Sequence, residues 1–368
     1  INNLSGSVVV TASQPLVAFA TQIDNTSDDP SLLTGRSNGA TQLLIPSATS
    51  VNQFRSSLVV QNAGSAAAQV RLRQRDTNGV MRGELVVSIL PNGLYSRDDI
   101  HATLGLSGLF GPLEITSLNS VPLVATSRVY SVDSGTSGFF EGQDVSVASS
   151  NGVVPISQDS SAFRTNLGIN NLGGVPANVQ VSLYSSSGAL LGNTTVNVPA
   201  GGLRQLDNVN RTLTGAAGVS DTLGFIRISS SQPLLGYSTL INNVGDDPGL
   251  ATNVVSGATR LLIPSATNVN QFRSTLAVIN LGNSAAPIRL IVRNTSGGVQ
   301  VQSDSVMIPA NGIYNVDDVL TNENHAPPAE DGKVKEKWSF RRSNYFPFVG
   351  EEIRNVTTTM EPSPRLVA

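Results

Sequence analysis

One block of sequence occurs three times at a fixed spacing, and this constrains the fold more than any other feature. The block reads LLIPSATSVNQFRSSLVVQNAG in its first copy, and its copies occupy residues 43–64, 153–173 and 261–282. Its phenylalanine recurs every 109 residues, as Phe54, Phe163 and Phe272. A period of this length is too long for one coil of a solenoid and has the size of a β-sandwich domain. The chain is therefore predicted to be a string of similar domains.

Each copy alternates apolar and polar residues, which is typical of a strand with one buried face. In the first copy Phe54, Leu58 and Val60 fall on one face and Arg55 on the other. We therefore expect the recurring phenylalanines to be buried, at Phe54, Phe163 and Phe272. A second block repeats between the copies of the first, at 8–32, 113–135 and 225–250. About seven such strands per unit predict an all-β chain of tandem antiparallel β-sandwich modules.

The recurring blocks resemble a known class of module. The pattern P-S/I…F-R-S/T…L…N-x-G, followed by S-x-x-P-L, is similar to tandem immunoglobulin-like modules of large secreted bacterial surface proteins, over residues 1–320. The resemblance implies immunoglobulin-like sandwiches and an extracellular or cell-surface location, and it brings no catalytic residues. Acidic or amide residues in each unit, such as Asp98 and Asp99, are expected to cap a short helical turn.

Two domain registers fit the repeat. In the preferred one the segments are 1–39 (closing half of a sandwich), 40–150 and 151–257 (whole sandwiches), 258–321 (opening half) and 322–368 (tail). The two halves would then complement each other, within one chain or between chains. In the alternative, permuted register, residues 1–39 pair with 40–100. Packing of Val17 and Phe19 on Leu58 and Val70 would indicate the permuted register, and packing on Leu276 and Leu290 would indicate complementation.

The tail departs from the repeat. It holds all three lysines of the chain and its single tryptophan, Trp338. Three interpretations stay open: a native anchoring or partner-binding tail, a fused segment, and a frameshifted end of an interrupted repeat. Disorder is one expectation for it.

Composition excludes several classes of function. The chain has no cysteine, so thiolate chemistry and disulfides are absent. A zinc site or a Ser-His-Asp triad would have to use His101 or His325, and both are expected to be solvated loop residues. The net charge of −3 argues against nucleic-acid binding, and no apolar run is long enough to span a membrane. We therefore expect no enzyme activity.

Acidic loops are the candidate ligand sites. The residues are Asp24, Asp28, Asp29, Asp246 and Asp247, in loops where one module is followed by the next. Oxygen-rich loops suit calcium, and the alternative is a polar turn that ends a strand. No other cofactor is expected. A sugar-binding face around Tyr95 and Tyr314 is a further candidate.

These features favour a non-enzymatic structural or adhesive repeat region of a secreted or cell-surface protein. Two alternatives stay open. One is an accessory, carbohydrate-binding region of a secreted enzyme. The other is a head-to-tail subunit of an extracellular filament, which would self-associate through its incomplete terminal modules.

Overall fold

The computed structural model describes residues 6–23, 30–246, 248–269, 272–294, 296–316 and 318–320. Strands account for 54% of the described residues and helices for 4%, and the sheets are antiparallel, so the all-β prediction is confirmed. We call residues 40–150 unit 1, residues 151–257 unit 2 and residues 258–321 unit 3. The tail, 322–368, and His325 within it lie outside the described residues.

The elements follow the chain in this order. The N-terminal segment and unit 1 contain β1 (Phe19–Ile23), β2 (Pro30–Thr34), β3 (Gln42–Thr49), β4 (Phe54–Ser56), β5 (Leu58–Asn62), β6 (Ala68–Arg75), β7 (Met81–Ile89), β8 (Leu94–Arg97), α1 (Ile100–Thr103), β9 (Phe110–Ser117), β10 (Leu123–Ser131), β11 (Ser137–Glu141), β12 (Gln143–Asp144) and a 3₁₀ turn (Val145–Val147). Unit 2 contains β13 (Ser149–Asp159), β14 (Phe163–Asn171), β15 (Ala177–Ser185), β16 (Leu190–Val198), β17 (Leu203–Leu206), α2 (Val209–Thr214), β18 (Thr222–Asn242) and β19 (Pro248–Thr252). Unit 3 contains β20 (Asn268–Val269), β21 (Phe272–Arg273), β22 (Leu276–Ile279), β23 (Ala286–Ile288), β24 (Ile291–Arg293), β25 (Val299–Gln302), β26 (Val306–Ile308) and β27 (Ile313–Val316).

Unit 1 forms two five-stranded sheets that share one apolar core. One sheet has the order β12-β3-β9-β6-β7, and the other has β11-β10-β5-β8 with β4 also paired to β10. Strand β6, with the sequence AQVRLRQR, alternates buried and exposed residues because its apolar side chains occur at every second position. Side chains from both sheets meet in the core, among them Ile45, Leu58, Val70, Leu113 and Leu123.

Unit 2 has the same pairing scheme, with one long strand, β18, in place of β9 and β10. The first half of β18 pairs with β13 and β15, and its second half pairs with β14 and β19. The registers also correspond: Leu72 lies opposite Ile115 in unit 1, and Val181 lies opposite Ile228 in unit 2. A second buried cluster, which includes Val181, forms the core of this unit.

Unit 3 has only part of this scheme among its described residues. Its pairs are β20–β21, β22–β27, β23–β26 and β24–β25, and the last three correspond in sequence to β5–β8 and β6–β7 of unit 1. Its copy of the LLIPSA sequence, at 261–266, is not in a strand and is exposed. The same sequence forms β3 in unit 1 and is buried there. Identical residues therefore have different environments in the two units.

The two helices are single turns. Asp99 caps α1, because its Oδ1 accepts a hydrogen bond of 3.0 Å from the backbone N–H of Ala102, as the sequence predicts. Asn208 precedes α2 in a left-handed conformation without a side-chain capping bond. Across the described part of the chain, neither helix approaches the length and apolar character needed to cross a membrane.

The prediction that all three recurring phenylalanines are buried is wrong for Phe54. Phe163 is 5% exposed, whereas Phe54 is 38% exposed, and the side chain of Phe272 lies outside the described residues. Phe163 begins a nine-residue strand that pairs with β18 along its whole length. Phe54 begins a strand of three residues that ends at Ser56, so its ring lies at the rim of the core.

The N-terminal segment forms a separate hairpin, β1–β2, rather than part of unit 1. Val17 is 58% exposed, and neither Val17 nor Phe19 belongs to the buried cluster that contains Leu58 and Val70. The choice between the two registers stays a prediction. Leu58 is instead covered by side chains of unit 1 itself, including Leu113 and Leu123 from β9 and β10. Pairing between different chains stays a prediction.

The difference between the two phenylalanines can be measured. Phe163→Ala should lower the free energy of unfolding of unit 2 by about 3–4 kcal/mol, because it leaves a cavity behind. Phe54→Ala should lower that of unit 1 by about 1 kcal/mol or less, because partly exposed residues cost little. Hydrogen exchange resolved by strand reports each unit separately. Equal losses in the two variants would contradict the different burial of the rings.

Candidate functional site

The contact between units 1 and 2 recurs between units 2 and 3. The backbone N–H of Leu203 donates a hydrogen bond of 3.0 Å to the carbonyl of Thr77, which lies in the turn after β6. One unit further, the N–H of Ile313 donates 2.8 Å to the carbonyl of Ser186, in the turn after β15. Each unit therefore places the same turn against the same strand start of the next unit.

Close approach at these contacts requires glycine. Gly79 and Gly188 both have positive φ, at 79° and 88°. A Cβ at Gly79 would overlap the carbonyl oxygen of Ala200, and a Cβ at Gly188 would overlap that of Ala310. Glycine adopts the positive φ without strain and, because it has no Cβ, allows the backbones of the two units to approach closely. The turns at 76–79 and 185–188, with the sequences DTNG and SSSG, are thus contact elements as well as turns.

Apolar side chains accompany each backbone contact. Leu203 and Tyr237 of unit 2 belong to the buried cluster of unit 1, and Ile313 of unit 3 joins Val153 and Phe225 of unit 2. Burial raises the pKa of Tyr237, because its ring is enclosed between the units. The units are therefore joined through apolar contacts, which favours a fixed arrangement.

Three hairpins share one register along the side of the units. The first residue of each hairpin faces the last in the pairs Phe19–Thr34, Thr126–Glu141 and Tyr237–Thr252. Neighbouring hairpins contact each other, β2 with β11 and β11 with β19. A shallow cleft of about 430 Å³ lies among them.

Specific contacts hold adjacent hairpins together. Glu141 accepts hydrogen bonds from the backbone N–H and the hydroxyl of Thr34, at 2.6 and 2.9 Å, and pairs with Arg36. Between the next two hairpins, the rings of Phe140 and Tyr237 meet edge to face at 5.3 Å. The polar groups in the cleft are thus engaged with each other.

A buried asparagine occupies the same place in each unit, and the sequence analysis missed its role. Asn62, Asn171 and Asn280 are at most 9% exposed. The Nδ2 of Asn171 donates to the carbonyls of Val175 and Val198, at 2.8 and 3.1 Å, and its Oδ1 accepts from the N–H of Gly173. Asn62 and Asn280 make the corresponding bonds. The regular Asn-x-Gly spacing was the available signal.

His101 is buried in unit 1, so the expectation that it is a solvated loop residue is wrong. It lies in α1 and is fully enclosed, because capping by Asp99 turns this helix onto the core. Neither ring nitrogen has a hydrogen-bond partner among the described side chains and backbone. Burial lowers its pKa to about 4, with Asp99 opposing the shift and Arg55 adding to it. The imidazole is neutral at pH 7.

The acidic loops are described only in part. Asp24, Asp28, Asp29 and Asp247 lie outside the described residues. The exposed Asp246 accepts a hydrogen bond of 3.0 Å from Arg164, which also donates 2.7 Å to Asn243. Where the structure is described, no group of three or more histidine or acidic residues could hold a metal ion. The partner of Asp246 in this structure is thus an arginine, and calcium binding stays a prediction for all five acidic residues.

A buried ion pair distinguishes unit 2. Asp159 is fully buried and accepts from Arg211 at 2.9–3.1 Å and from the N–H and hydroxyl of Ser220. Burial would raise the pKa of Asp159, but these bonds outweigh it and hold the pKa below its usual value. The residues that correspond to Asp159 in the other units are Ser50 and Asn268, so this ion pair does not recur.

Tyr95 is 9% exposed, which leaves little ring surface for a sugar.

We expect Asn171→Ala to destabilise unit 2 by about 2–3 kcal/mol, because it leaves buried backbone carbonyls without a donor. The exposed Asn197, which bonds only to the side chain of Asn178 in the contacts described, is the matched control. Asn197→Ala should change the unfolding free energy by less than about 0.5 kcal/mol. Chemical denaturation, monitored by hydrogen exchange in β14 to β17, measures the free energy of unfolding of both variants. Equal losses in the two variants would contradict the stabilising role of Asn171.

The buried imidazole predicts a pH dependence for unit 1. The unfolded chain protonates His101 near pH 6.5 and the folded one only near pH 4. Unfolding therefore takes up a proton in this window, and stability falls as the pH drops through it, by up to about 3 kcal/mol. Above pH 6.5 this contribution is constant. In the His101→Gln variant the loss of stability at low pH, measured by hydrogen exchange in β3 and β9, should be smaller by that amount. An unchanged dependence of stability on pH would contradict the role given to the buried imidazole.

Comparison with known proteins adds no assignment to this site. A scan against protein-family models finds no family that matches the chain. A search of curated proteins finds no relative either. The function proposed below is therefore based on the geometry of three features: the repeated contacts between units, the buried asparagines and the three adjacent hairpins.

Proposed function

We propose that this chain is a non-enzymatic structural region: a row of tandem, immunoglobulin-like β-sandwich units with a 109-residue repeat, in a secreted or cell-surface protein of bacterial type. The observation that carries the proposal is the contact that occurs twice, from Thr77 to Leu203 and from Ser186 to Ile313. A contact between unlike surfaces that repeats from unit to unit extends a row without closing it. Such a row sets a distance, which is what a spacer or stalk requires.

The recurring residues suit this role better than catalysis. They are buried amides, apolar side chains and glycines at contacts, and all three types stabilise units or join them. The histidine of unit 1 is enclosed and neutral, so it is not placed to exchange protons with a substrate. The low content of charged residues, 13%, and the net charge of −3 favour neither nucleic acid nor an anionic membrane as a partner.

The resemblance to immunoglobulin-like modules is supported by the pairing pattern. Units 1 and 2 each place an opening strand, β3 or β13, beside a closing strand from the second block, β9 or β18. Both units then pair that closing strand with β6 or β15 in the same register. Two antiparallel sheets around one core are the arrangement of a sandwich domain.

Mechanical unfolding of the full chain tests the proposal. Pulling at the two ends should give two separate unfolding events for units 1 and 2, each corresponding to about 360–390 Å of extended chain, because ~109 residues extend to ~3.3–3.6 Å each. Asn171→Ala should lower the force of one event and leave the other unchanged. A single event that releases both units together would contradict a row of separate domains, as would hydrolysis of a peptide, ester or glycoside by the purified chain.

A further inference from the structure

Unit 3 exposes an apolar segment that is buried in the other units. Its residues Leu261, Leu262 and Ile263 are 71%, 66% and 58% exposed. The same sequence in β3 of unit 1 is 5%, 4% and 0% exposed, at Leu43, Leu44 and Ile45. Neighbouring apolar residues of unit 3 are also partly exposed where those of unit 1 are buried, namely Leu276, Val278, Ile288 and Leu290. Unit 3 thus has an uncovered core face.

The element that covers this face in the other units can be identified. In unit 1, β3 pairs with β9, and in unit 2, β13 pairs with the first half of β18. Both β9 and β18 come from the second repeated block. In the sequence that follows unit 3, at 322–368, this block does not return. A strand of the second block is therefore the element that would cover the exposed face of unit 3.

The N-terminal segment is such a copy, and its apolar residues are exposed. Residues 6–23 align with the start of β18 onward, so that SQPLVAFATQI corresponds to SQPLLGYSTLI. Val8 and Val10 are 89% and 58% exposed, while their counterparts Ile226 and Ile228 are at most 2% exposed. One end of the chain therefore presents the strand that the other end lacks.

The hairpin β1–β2 already occupies the position of a closing hairpin from a preceding unit. It contacts β11 as β11 contacts β19, and Thr34 and Arg36 attach it to Glu141. Its register matches that of the two later hairpins. Unit 1 thus carries, on its side, the closing elements of a unit that would stand before it.

We propose that residues 6–23 of one copy of this chain complete unit 3 of a second copy. By analogy with Leu43–Ile115 and Ile45–Leu113 in unit 1, Leu261 lies opposite Val10 and Ile263 opposite Val8. Val8 and Val10 then face the core of unit 3, and Val9 lies on the opposite face of the strand, where Glu114 and Arg227 lie in units 1 and 2. The joint buries the exposed apolar residues of both copies.

The turn contact between units supports the same joint. The turn that contains Gly297 corresponds to those of Gly79 and Gly188, yet a Cβ at Gly297 would meet nothing within 4 Å. The residues that correspond to its docking site are Pro91–Leu94, at the start of β8 in unit 1. When a second copy completes unit 3, its unit 1 becomes the next member of the row. The turn of Gly297 then contacts Pro91–Leu94.

The two complementary surfaces of one chain lie at opposite ends of the row. Unit 3 stands on unit 2 through the same contact by which unit 2 stands on unit 1. The N-terminal hairpin is attached to unit 1, two units away from the uncovered face. Joining different copies is therefore favoured over joining the ends of one copy, and repetition of the joint gives head-to-tail chains.

Association of the 368-residue chain tests this joint. The average mass of the wild-type chain, measured by light scattering, should rise continuously with concentration above the mass of one chain. Val8→Glu with Val10→Glu should weaken association about 100-fold or more, because two charges would enter the core face of unit 3. Both residues are exposed in the single chain, so its fold and unfolding profile should be unchanged.

Val9→Glu is the matched control, because Val9 is 72% exposed in the single chain and takes the position that Glu114 occupies in unit 1 and Arg227 in unit 2. Its association should stay within about 3-fold of wild type, because a charged residue is accommodated at this position in both of those units. A wild-type chain that stays monomeric at every concentration would overturn the proposal. Equal losses in Val9→Glu and in the double variant would overturn it as well.

Disulfide trapping tests the register, since the chain has no cysteine of its own. A mixture of Val9→Cys and Leu262→Cys chains should form the mixed disulfide, because directly opposite residues share one face of a sheet. Leu261→Cys, whose side chain would point to the other face, should give about 10-fold less with Val9→Cys. Equal yields would overturn the register, and a Val9→Cys, Leu262→Cys double variant that closes on itself as a monomer would overturn joining between copies. Either failure leaves the proposed spacer function standing, because that function concerns contacts within one chain.

Discussion

Each unit depends on backbone pairing between its opening strand and a closing strand that lies far along the chain. In unit 1 this pairing joins β3 to β9, and in unit 2 it joins β13 to β18. Where the partner is present, the LLIPSA residues are enclosed on both faces, and where it is missing they are exposed. The hydrogen bonds of an isolated strand edge cannot be satisfied within the strand, so its apolar sequence alone does not make it part of a core.

The contact between units is made mostly by the backbone, which explains how it survives divergence between the copies. An N–H of one unit meets a carbonyl of the previous one, and glycine at 79 and 188 leaves room for the approach. The surrounding side chains differ. Beside the first contact Arg75 pairs with Glu114 of its own unit, whereas Arg227 of unit 2 donates to Leu281 and Asn311 of unit 3. Backbone geometry thus determines how successive units are arranged, and the side chains around each contact vary.

Several features of the fold followed from residue patterns alone. The alternation in β6, the cap at Asp99 and the antiparallel all-β architecture all rest on local rules of period and turn chemistry. Phe54 and His101 escaped these rules for opposite reasons. The ring of Phe54 lies at the end of a short strand, where neighbours are missing, and the imidazole of His101 is turned inward by a helix of one turn.

The candidate site was predicted less well, because its members are contacts between distant residues. The sequence shows Asn62, Asn171 and Asn280 only as part of a recurring Asn-x-Gly pattern, while in the structure each one donates a hydrogen bond to a carbonyl 27 or 28 residues away. The sequence indicated five acidic residues as candidate calcium ligands. The one of them that the structure describes, Asp246, pairs with Arg164 of another strand. Neither partner could be inferred from spacing along the chain, since strand order decides which loops meet.

The sequence by itself determined the repeat, the strand periodicity and the absence of thiol chemistry, because these are properties of composition and local spacing. Only the tertiary structure decided which strands are paired, which glycines touch the next unit and which apolar residues are left uncovered. The reason is that a strand is completed by its neighbours. The same seven residues, LLIPSAT, have the same intrinsic preferences at 43–49 and at 261–267. Their burial differs because a partner strand lies beside one copy and, among the described residues, not beside the other.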